Sequence, residues 1–162
     1  MKLHDELIKL SSAKVWELSR YEWLLDYITI NEMADETCLC GHYPIKELCH
    51  LKNRINNSKT IVGNCCVRQF LGLDLTKVFT SVKNITKNKE KSPNKELIFY
   101  ANNKKIITGW EFNFLNSIVG KRKLSTSQME YRKNINSKIL SNIVKRREDM
   151  VIYNMFKKCF KK

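Results

Sequence analysis

The spacing of apolar residues along the chain predicts an N-terminal helical segment, a β-hairpin and a C-terminal helical region. Between Leu3 and Ile30 the apolar side chains fit helical faces better than strict alternation, with the stretch Trp23–Ile30 also compatible with a strand. Residues Leu48–Lys52 and Lys59–Val62 flank a turn rich in Asn and Ser, which predicts a β-hairpin. Beyond residue 107 the apolar residues recur at helical spacing, so helices are expected there.

Two capping boxes mark helix starts in the last third of the chain. In this motif a Ser or Thr side chain accepts a hydrogen bond from the backbone N–H three residues later, and a Glu or Gln at that position bonds back. The candidates are Thr108 with Glu111 and Ser125 with Gln128. Gly120 suits the end of the first helix, because glycine adopts the left-handed conformation at little cost. The sequence therefore predicts a helical hairpin, followed by a third short helix over Asp149–Phe160.

The segment between the cysteines and these helices is rich in Lys and Asn. Residues 83–96 are polar and contain Pro93, which favours a linker or a long loop. Ile98–Ile107 is interpreted as a hairpin across Asn102 and Asn103 or as a short strand. We therefore predict a basic linker with short strands over residues 76–107.

Five of the six cysteines lie between Cys38 and Cys66, which is typical of a metal site in a reducing compartment. Cys38-x-Cys40-Gly41 has the form of a metal knuckle, in which a tight turn aims two thiolates at one ion. After the hairpin, a short helix beginning near Val67 carries Cys65 and Cys66 at its N-terminus, where the partial positive charge favours thiolate. Knuckle, hairpin and helix follow the order of a treble-clef zinc finger.

A structural zinc ion takes four tetrahedral ligands. The predicted ligands are Cys38, Cys40, Cys49 and Cys66, and the predicted cofactor is Zn. His42 is the main alternative to Cys49, with Cys65 and His50 behind it. Cys49 is preferred because the other three ligands are thiolates, and because Cys49 and His50 are adjacent on a strand and point to opposite faces. Four protein ligands would close the site, which predicts a structural metal without a catalytic water.

Two motifs resemble segments of other proteins. The first motif reads Cys38-x-Cys40-Gly41-His42, then Ile45, Cys49 and Asn53, then Val62-Gly63-Asn64-x-Cys66-Val67-x-x-Phe70. This motif resembles a module in uncharacterised phage, bacterial and large-DNA-virus proteins. A segment that accompanies the module in some of them is similar to Thr108-x-Trp110-Glu111-x-x-Phe114-Leu115-x-Ser117-Ile118 and Leu124-Ser125-x-x-Gln128. The resemblance implies a zinc module joined to a helical tail and implies no particular reaction.

The positive charge is concentrated in the second half of the chain. Of the formal net charge of +14, residues 1–33 contribute −2, residues 34–75 contribute +1, residues 76–107 contribute +6 and residues 108–162 contribute +9. This asymmetry favours a polyanionic partner, and we predict DNA or RNA. Nothing indicates base reading, so weak sequence preference is expected. The predicted contacts are Lys121, Arg122, Lys123, Arg132, Lys133, Lys145, Arg146 and Arg147.

The sequence argues against a membrane protein and against an enzyme with a small-molecule substrate. No apolar run approaches the roughly 18 residues needed to span a bilayer, and the N-terminus lacks the pattern of a signal peptide. An intracellular, reducing location is therefore expected. No Gly-rich phosphate loop, dinucleotide fingerprint or Ser or Cys triad is present in the sequence.

Two other functions are weighed against nucleic-acid binding. The first is a viral or phage interaction subunit or inhibitor that docks on a host or viral nucleoprotein complex. The second is a treble-clef nuclease using His50, Asn64 and Arg68, although the sequence lacks a His in the short helix and paired carboxylates. The abundance of Lys, Asn and Ile, as AT-rich genomes encode, indicates a virus, a phage or an AT-rich host as the source.

These patterns predict an α+β fold in four segments. The segments are residues 1–33, an N-terminal helical segment; residues 34–75, the treble-clef-like zinc module; residues 76–107, the basic linker; and residues 108–162, the basic helical tail.

Overall fold

The structure, a computed structural model, describes residues 2–145 of the chain. The short helix predicted over Asp149–Phe160 and the predicted contacts Arg146 and Arg147 lie outside the described residues. Within the described part, the fold is a mixed α+β arrangement with seven α-helices and one four-stranded sheet, which confirms the predicted α+β class. No helix among these residues is long and apolar enough to cross a bilayer.

The described chain divides into two compact units. The first unit, called here the sheet unit, contains the described residues up to Asp74 together with Val144 and Lys145. The second, called here the helical unit, spans Leu75–Ile143. The chain therefore leaves the sheet unit once and returns to it by a short final strand.

The sheet unit is built around a sheet of strand order β3-β2-β1-β4. The first three strands are antiparallel, and β4 pairs in parallel with β1 through Ile30 with Val144 and Asn31 with Lys145. Its elements are α1 (Lys2–Leu10), α2 (Trp16–Ser19), a 3-10 turn (Arg20–Glu22), β1 (Trp23–Asn31), β2 (Glu47–Asn53), β3 (Lys59–Gly63), α3 (Asn64–Leu71) and β4 (Val144–Lys145).

The β2–β3 hairpin confirms the prediction from the Asn- and Ser-rich turn. The stretch from Trp23 to Ile30, compatible with helix or strand in the sequence, belongs to β1. Its first residue, Trp23, is 1% exposed, and its indole N–H donates to Ser11 Oγ at 2.9 Å. A buried indole needs such an acceptor, so this bond ties the strand to the end of α1.

A buried carboxylate, Glu22, joins three segments of the sheet unit. It accepts hydrogen bonds from the backbone N–H groups of Ser12 (2.8 Å) and Ala13 (2.7 Å) and from Asn53 Nδ2 (2.6 Å). The side-chain oxygen of Asn53 in turn accepts from the N–H groups of Ile55 and Asn56 in the hairpin turn. The connection between α1 and α2 and the turn of the β2–β3 hairpin are thereby fixed to the start of β1.

The helical unit contains four helices. They are α4 (Thr76–Lys87), α5 (Lys95–Asn103), α6 (Gly109–Ile118) and α7 (Thr126–Ile143). Helix α4 packs against α5 and α7, and α5 packs against α6. The fully buried side chains that form the core include Phe79, Ile85, Leu97, Ile98, Leu115, Ile118 and Ile139.

The prediction of a linker with short strands over residues 76–107 was wrong, because this segment forms α4 and α5. Val78, Val82 and Ile85 recur at helical spacing and are buried, which outweighs the high Lys and Asn content. Pro93 precedes the N-cap Asn94, whose side chain accepts from Leu97 N–H at 2.9 Å. Proline and asparagine therefore mark a helix start and not an extended loop.

Both predicted capping boxes are present. Glu111 N–H donates to Thr108 Oγ1 at 3.2 Å, and Thr108 N–H donates to Glu111 Oε2 at 2.6 Å. The second pair, Ser125 and Gln128, forms the same reciprocal bonds at 3.1 and 3.2 Å. Gly120 follows α6 with φ +79°, as expected for a glycine after a helix end.

Candidate metal centre

The knuckle at Cys38 is a tight turn. Gly41 N–H donates to the Cys38 carbonyl at 2.7 Å, and Cys38 N–H donates to the His42 carbonyl at 2.9 Å. Gly41 adopts φ +92°, a left-handed value that a residue with a Cβ rarely takes. The turn holds the side chains of Cys38 and Cys40 in one place, as the Cys-x-Cys-Gly pattern predicts.

The third thiol, Cys66, comes from the first turn of α3. The helix starts directly after β3, with Gly63 as its extended N-cap. The N–H of Gly63 also donates to Cys38 Sγ at 3.2 Å, which ties the knuckle to the junction between hairpin and helix. An N–H···S bond of this kind stabilises the negative charge that a thiolate ligand carries.

The sulfur atoms of Cys38, Cys40 and Cys66 form one cluster. All three lie within 4.8 Å of one another, and the Sγ atoms of Cys38 and Cys66 are 3.5 Å apart. This is the one group of at least three His, Cys, Asp or Glu ligand atoms that comes so close among residues 2–145. We call it the thiol cluster, and its spacing allows a single metal ion to contact all three sulfurs.

The thiols of the cluster differ in acidity. Burial acts to raise the pKa of Cys40, but hydrogen bonds from the His42 backbone N–H and from the Cys38 and Cys66 thiols outweigh it and hold that pKa below its usual value. Burial, together with hydrogen bonds and charge from Cys38 and Cys40, raises the pKa of Cys66 far above its usual value.

Cys49, the predicted fourth ligand, lies on β2 and is fully buried between its ladder partners Ile28 and Val62. It does not belong to the group of three sulfurs. Burial, followed by the charges of Glu47 and Cys38, raises the pKa of the Cys49 thiol to about 12.

The other candidates for the fourth position differ in their surroundings. His42 and Cys65 are exposed. His50 is buried, with Nε2 2.8 Å from Thr29 Oγ1 and its ring stacked on Tyr27 at 4.1 Å. The geometry thus identifies three thiols that can hold a metal and leaves the fourth ligand open between Cys49 and His42.

The residues considered for a nuclease are not gathered in one cleft. His50 lines a surface cleft of about 410 Å³ together with Asp26, Tyr27 and Lys59, but Asn64 and Arg68 are not among the lining residues. Burial and the charge of Lys145, opposed by Asp26, lower the pKa of His50 to about 4. The ring is therefore neutral at neutral pH.

The predicted nucleic-acid contacts fall in different environments. Lys121, Arg122 and Lys123 are exposed in the loop between α6 and α7. Lys133 is half-buried and lies 3.2 Å from Glu90. Lys145 belongs to β4 of the sheet unit.

Arg132 departs from the expectation that these side chains face solvent. It is 7% exposed, and its Nη2 lies 3.3 Å from Met129 Sδ. The reason is its position on α7, where it shares a face with the buried Ile135, Asn136 and Ile139. Arg132 is therefore part of the interior of the helical unit and is not presented to a phosphate.

Trp110 and Phe114 of α6 and Tyr131 of α7 form a group of aromatic rings on the helical unit. The sequence indicates Trp110 and Tyr131 as aromatic residues among the basic ones, but sequence reasoning missed that they meet Phe114 in one group. The i, i+4 spacing of Trp110 and Phe114 was the available signal, since side chains at this spacing lie on one helix face.

Comparison with known proteins gives no match: no family model fits the chain, and neither a curated protein nor a solved structure is similar enough to count as a relative.

Proposed function

We propose that this chain is a zinc-stabilised nucleic-acid-binding protein of viral or phage type, without catalytic activity. The observation that carries the proposal is the charge of the helical unit. Residues 75–143 contain fourteen Lys and Arg side chains against four carboxylates, a net charge of +10, whereas residues 2–74 sum to −1. The remaining residues, 144–162, add +5. A charge of +10 on one folded unit suits a polyanion more than it suits solubility alone.

Zinc is the metal that fits the thiol cluster. Thiolate-rich sites select zinc over magnesium or calcium, and two sulfurs bound at about 2.3 Å to a tetrahedral zinc lie about 3.8 Å apart. The separation of 3.5 Å between the Cys38 and Cys66 sulfurs is close to that value. The succession of knuckle, β2–β3 hairpin and α3 supports a treble-clef-like module, with Cys49 as the proposed fourth ligand.

The zinc would act structurally. Four protein ligands leave no coordination position for a water molecule, so the site would stabilise the sheet unit and would not activate a nucleophile. The neutral, buried His50, bonded to Thr29, also lacks the exposure that a general base needs. Both points favour binding without cleavage.

The helical unit would neutralise phosphates. Three of its four carboxylates, Glu90, Glu96 and Glu111, lie within 3.2 Å of a lysine ammonium, so little negative field opposes an incoming strand. The exposed loop Lys121–Lys123 extends three more cations into solvent. Release of counterions from the phosphate backbone would drive association and make it strongly dependent on salt.

A salt-titrated binding isotherm with random-sequence DNA and RNA tests this function. The full chain should bind at low salt, and replacement of Lys121, Arg122 and Lys123 by Ala should weaken binding to all sequences alike. The salt slope should flatten by about one unit per lost phosphate contact. Zinc content should be unchanged, because the three residues belong to the helical unit and the thiol cluster to the sheet unit.

The matched control removes the same charge from the sheet unit, by replacing the exposed Lys46, Lys52 and Lys59 with Ala. This variant should bind nearly as tightly as the unmodified chain. Absence of binding to either polymer at low salt would refute the proposal and leave docking on an acidic protein surface as the function to test. Magnesium-dependent cleavage that is lost in His50→Ala with zinc retained would instead support the nuclease.

A further inference from the structure

Three aromatic rings form a contiguous group on the helical unit. Trp110 and Phe114 are stacked, with ring centroids 5.3 Å apart and ring planes inclined by 7°. Tyr131 of α7 meets both rings edge-on, at centroid distances of 5.6 Å and 5.9 Å. We call Trp110, Phe114 and Tyr131 the aromatic cluster.

The aromatic cluster is not buried in the core. Trp110 is 59% exposed and Tyr131 is 52% exposed. More than half of the Trp110 side chain therefore stays accessible to solvent although two other rings pack against it. Clustered exposed rings of this kind mark interaction sites more often than scattered apolar residues do.

The cluster is held in position by polar contacts at its base. The Thr108–Glu111 capping box fixes the first turn of α6, where Trp110 lies. From α7, Lys138 Nζ contacts both carboxylate oxygens of Glu111, at 3.1 Å and 2.8 Å. Rings that are ordered before a partner arrives lose little conformational entropy on binding.

The charge around the cluster identifies the kind of partner. The helical unit carries a net charge of +10, and Lys121, Arg122 and Lys123 lie in the loop that follows α6, seven to nine residues after Phe114. Exposed aromatic rings on a positively charged unit suit a chain that combines negative backbone charge with planar bases. Every base has a face that can stack on an aromatic ring, but only an unpaired base offers that face to a protein.

We propose that the aromatic cluster is a stacking platform for unpaired bases, and that the partner of the helical unit is single-stranded nucleic acid. The inference rests on the proposed nucleic-acid binding and adds the class of strand. The exposed Trp110 ring supplies the stack, Tyr131 and Phe114 hold that ring in place, and the lysines of the helical unit neutralise the phosphates.

The test compares a thymidine oligonucleotide with an abasic oligonucleotide of equal length, using the full chain. The thymidine strand should bind more tightly than the abasic strand and than a duplex, and should quench Trp fluorescence. Trp110→Ala should weaken binding of the thymidine strand by at least about five-fold and abolish most of the quenching. The same variant should bind the abasic strand as the unmodified chain does.

The matched control is Phe99→Ala, because Phe99 of α5 is also 59% exposed but lies outside the aromatic cluster. Trp110→Phe, which keeps an aromatic face, should retain most of the preference, so a mere folding defect is distinguishable. Equal affinity for the thymidine and abasic strands, or an equal loss of affinity for both in Trp110→Ala, would refute the stacking platform. The proposed binding to phosphates would be unaffected by that result. If neither strand binds at low salt, the proposed nucleic-acid binding itself is refuted.

Discussion

Glu22 shows how a single carboxylate stabilises the sheet unit. Its 7% exposure would normally oppose ionisation, but three donors surround it: the N–H groups of Ser12 and Ala13 and the amide of Asn53. Although burial acts to raise the pKa of Glu22, these hydrogen bonds and the charge of Lys14 outweigh it and hold the pKa below 4.5. The charged form is therefore the form that the folded state prefers.

Glu22→Gln should lower the free energy of unfolding at neutral pH by about 1–3 kcal/mol, because hydrogen bonds to a charged acceptor are replaced by bonds to a neutral amide. The folded-state pKa is depressed, so this stabilisation is fully present above about pH 4.5 and is lost as the pH falls through the folded pKa. The difference between the two proteins in urea unfolding should accordingly shrink on acidification.

Glu17→Gln provides the control, since Glu17 is an exposed carboxylate on the neighbouring α2. It should change the unfolding free energy little at any pH. A loss in Glu17→Gln equal to that in Glu22→Gln would mean that overall charge, and not the buried network, is responsible.

At this scale the sequence predicted short-range geometry well and long-range environment poorly. Cys38, Cys40 and Gly41 are neighbours in the chain, so one tight turn determines where the two thiols point. Cys66 could be predicted as the third thiol because α3, which carries it, starts directly after the β2–β3 hairpin. Arg132 and Asn53 depend on which face of an element is covered by distant segments, and no local pattern reports that coverage.

At the scale of secondary structure, hydrogen bonds at helix ends were the most reliable signal. The two capping boxes involve residues only three apart, so they form wherever the helix forms. The sequence analysis did not predict helices α4 and α5. Neither helix begins with a capping box, and Lys and Asn dominate their surface. The helical spacing of their buried residues predicts these helices, but the high content of Lys and Asn favoured a linker.

Thr108→Ala should destabilise the helical unit by about 1 kcal/mol, because the N–H of Glu111 loses its side-chain acceptor at the start of α6. The measurement is urea unfolding of the full chain followed by helical ellipticity. Thr126→Ala is the comparison, since Thr126 is the first residue of α7 and Ser125 before it supplies the cap. A comparable loss in Thr126→Ala would show that the cap is not the cause.

At the scale of the whole molecule, the thiol cluster and the most basic part of the chain belong to different units. Freshly purified protein should contain about one zinc per chain, and a strong chelator should unfold the zinc module while most helical ellipticity of Leu75–Ile143 persists. The two readouts are zinc content and circular dichroism on the same sample. Complete loss of helical signal on chelation would contradict the independence of the two units.

Single substitutions identify the ligands in the same assay. Cys38→Ser and Cys66→Ser should lose zinc, whereas Cys65→Ser, which alters an exposed neighbour outside the thiol cluster, should keep it. Loss of zinc in Cys49→Ser and its retention in His42→Ala would assign the fourth ligand to Cys49. The opposite pair of results would assign it to His42.

The return of the chain at β4 has a consequence for the order in which the molecule melts. Val144 and Lys145 pair with β1 only after an excursion of about 70 residues through the helical unit. While the helices of this unit are folded, they hold its two ends, Leu75 and Ile143, at a fixed distance from each other. Once the helices melt, the same excursion becomes a flexible loop whose closure costs about 4 kcal/mol of chain entropy. A two-residue strand cannot offset that cost, so β4 should detach from the sheet when the inserted helices unfold.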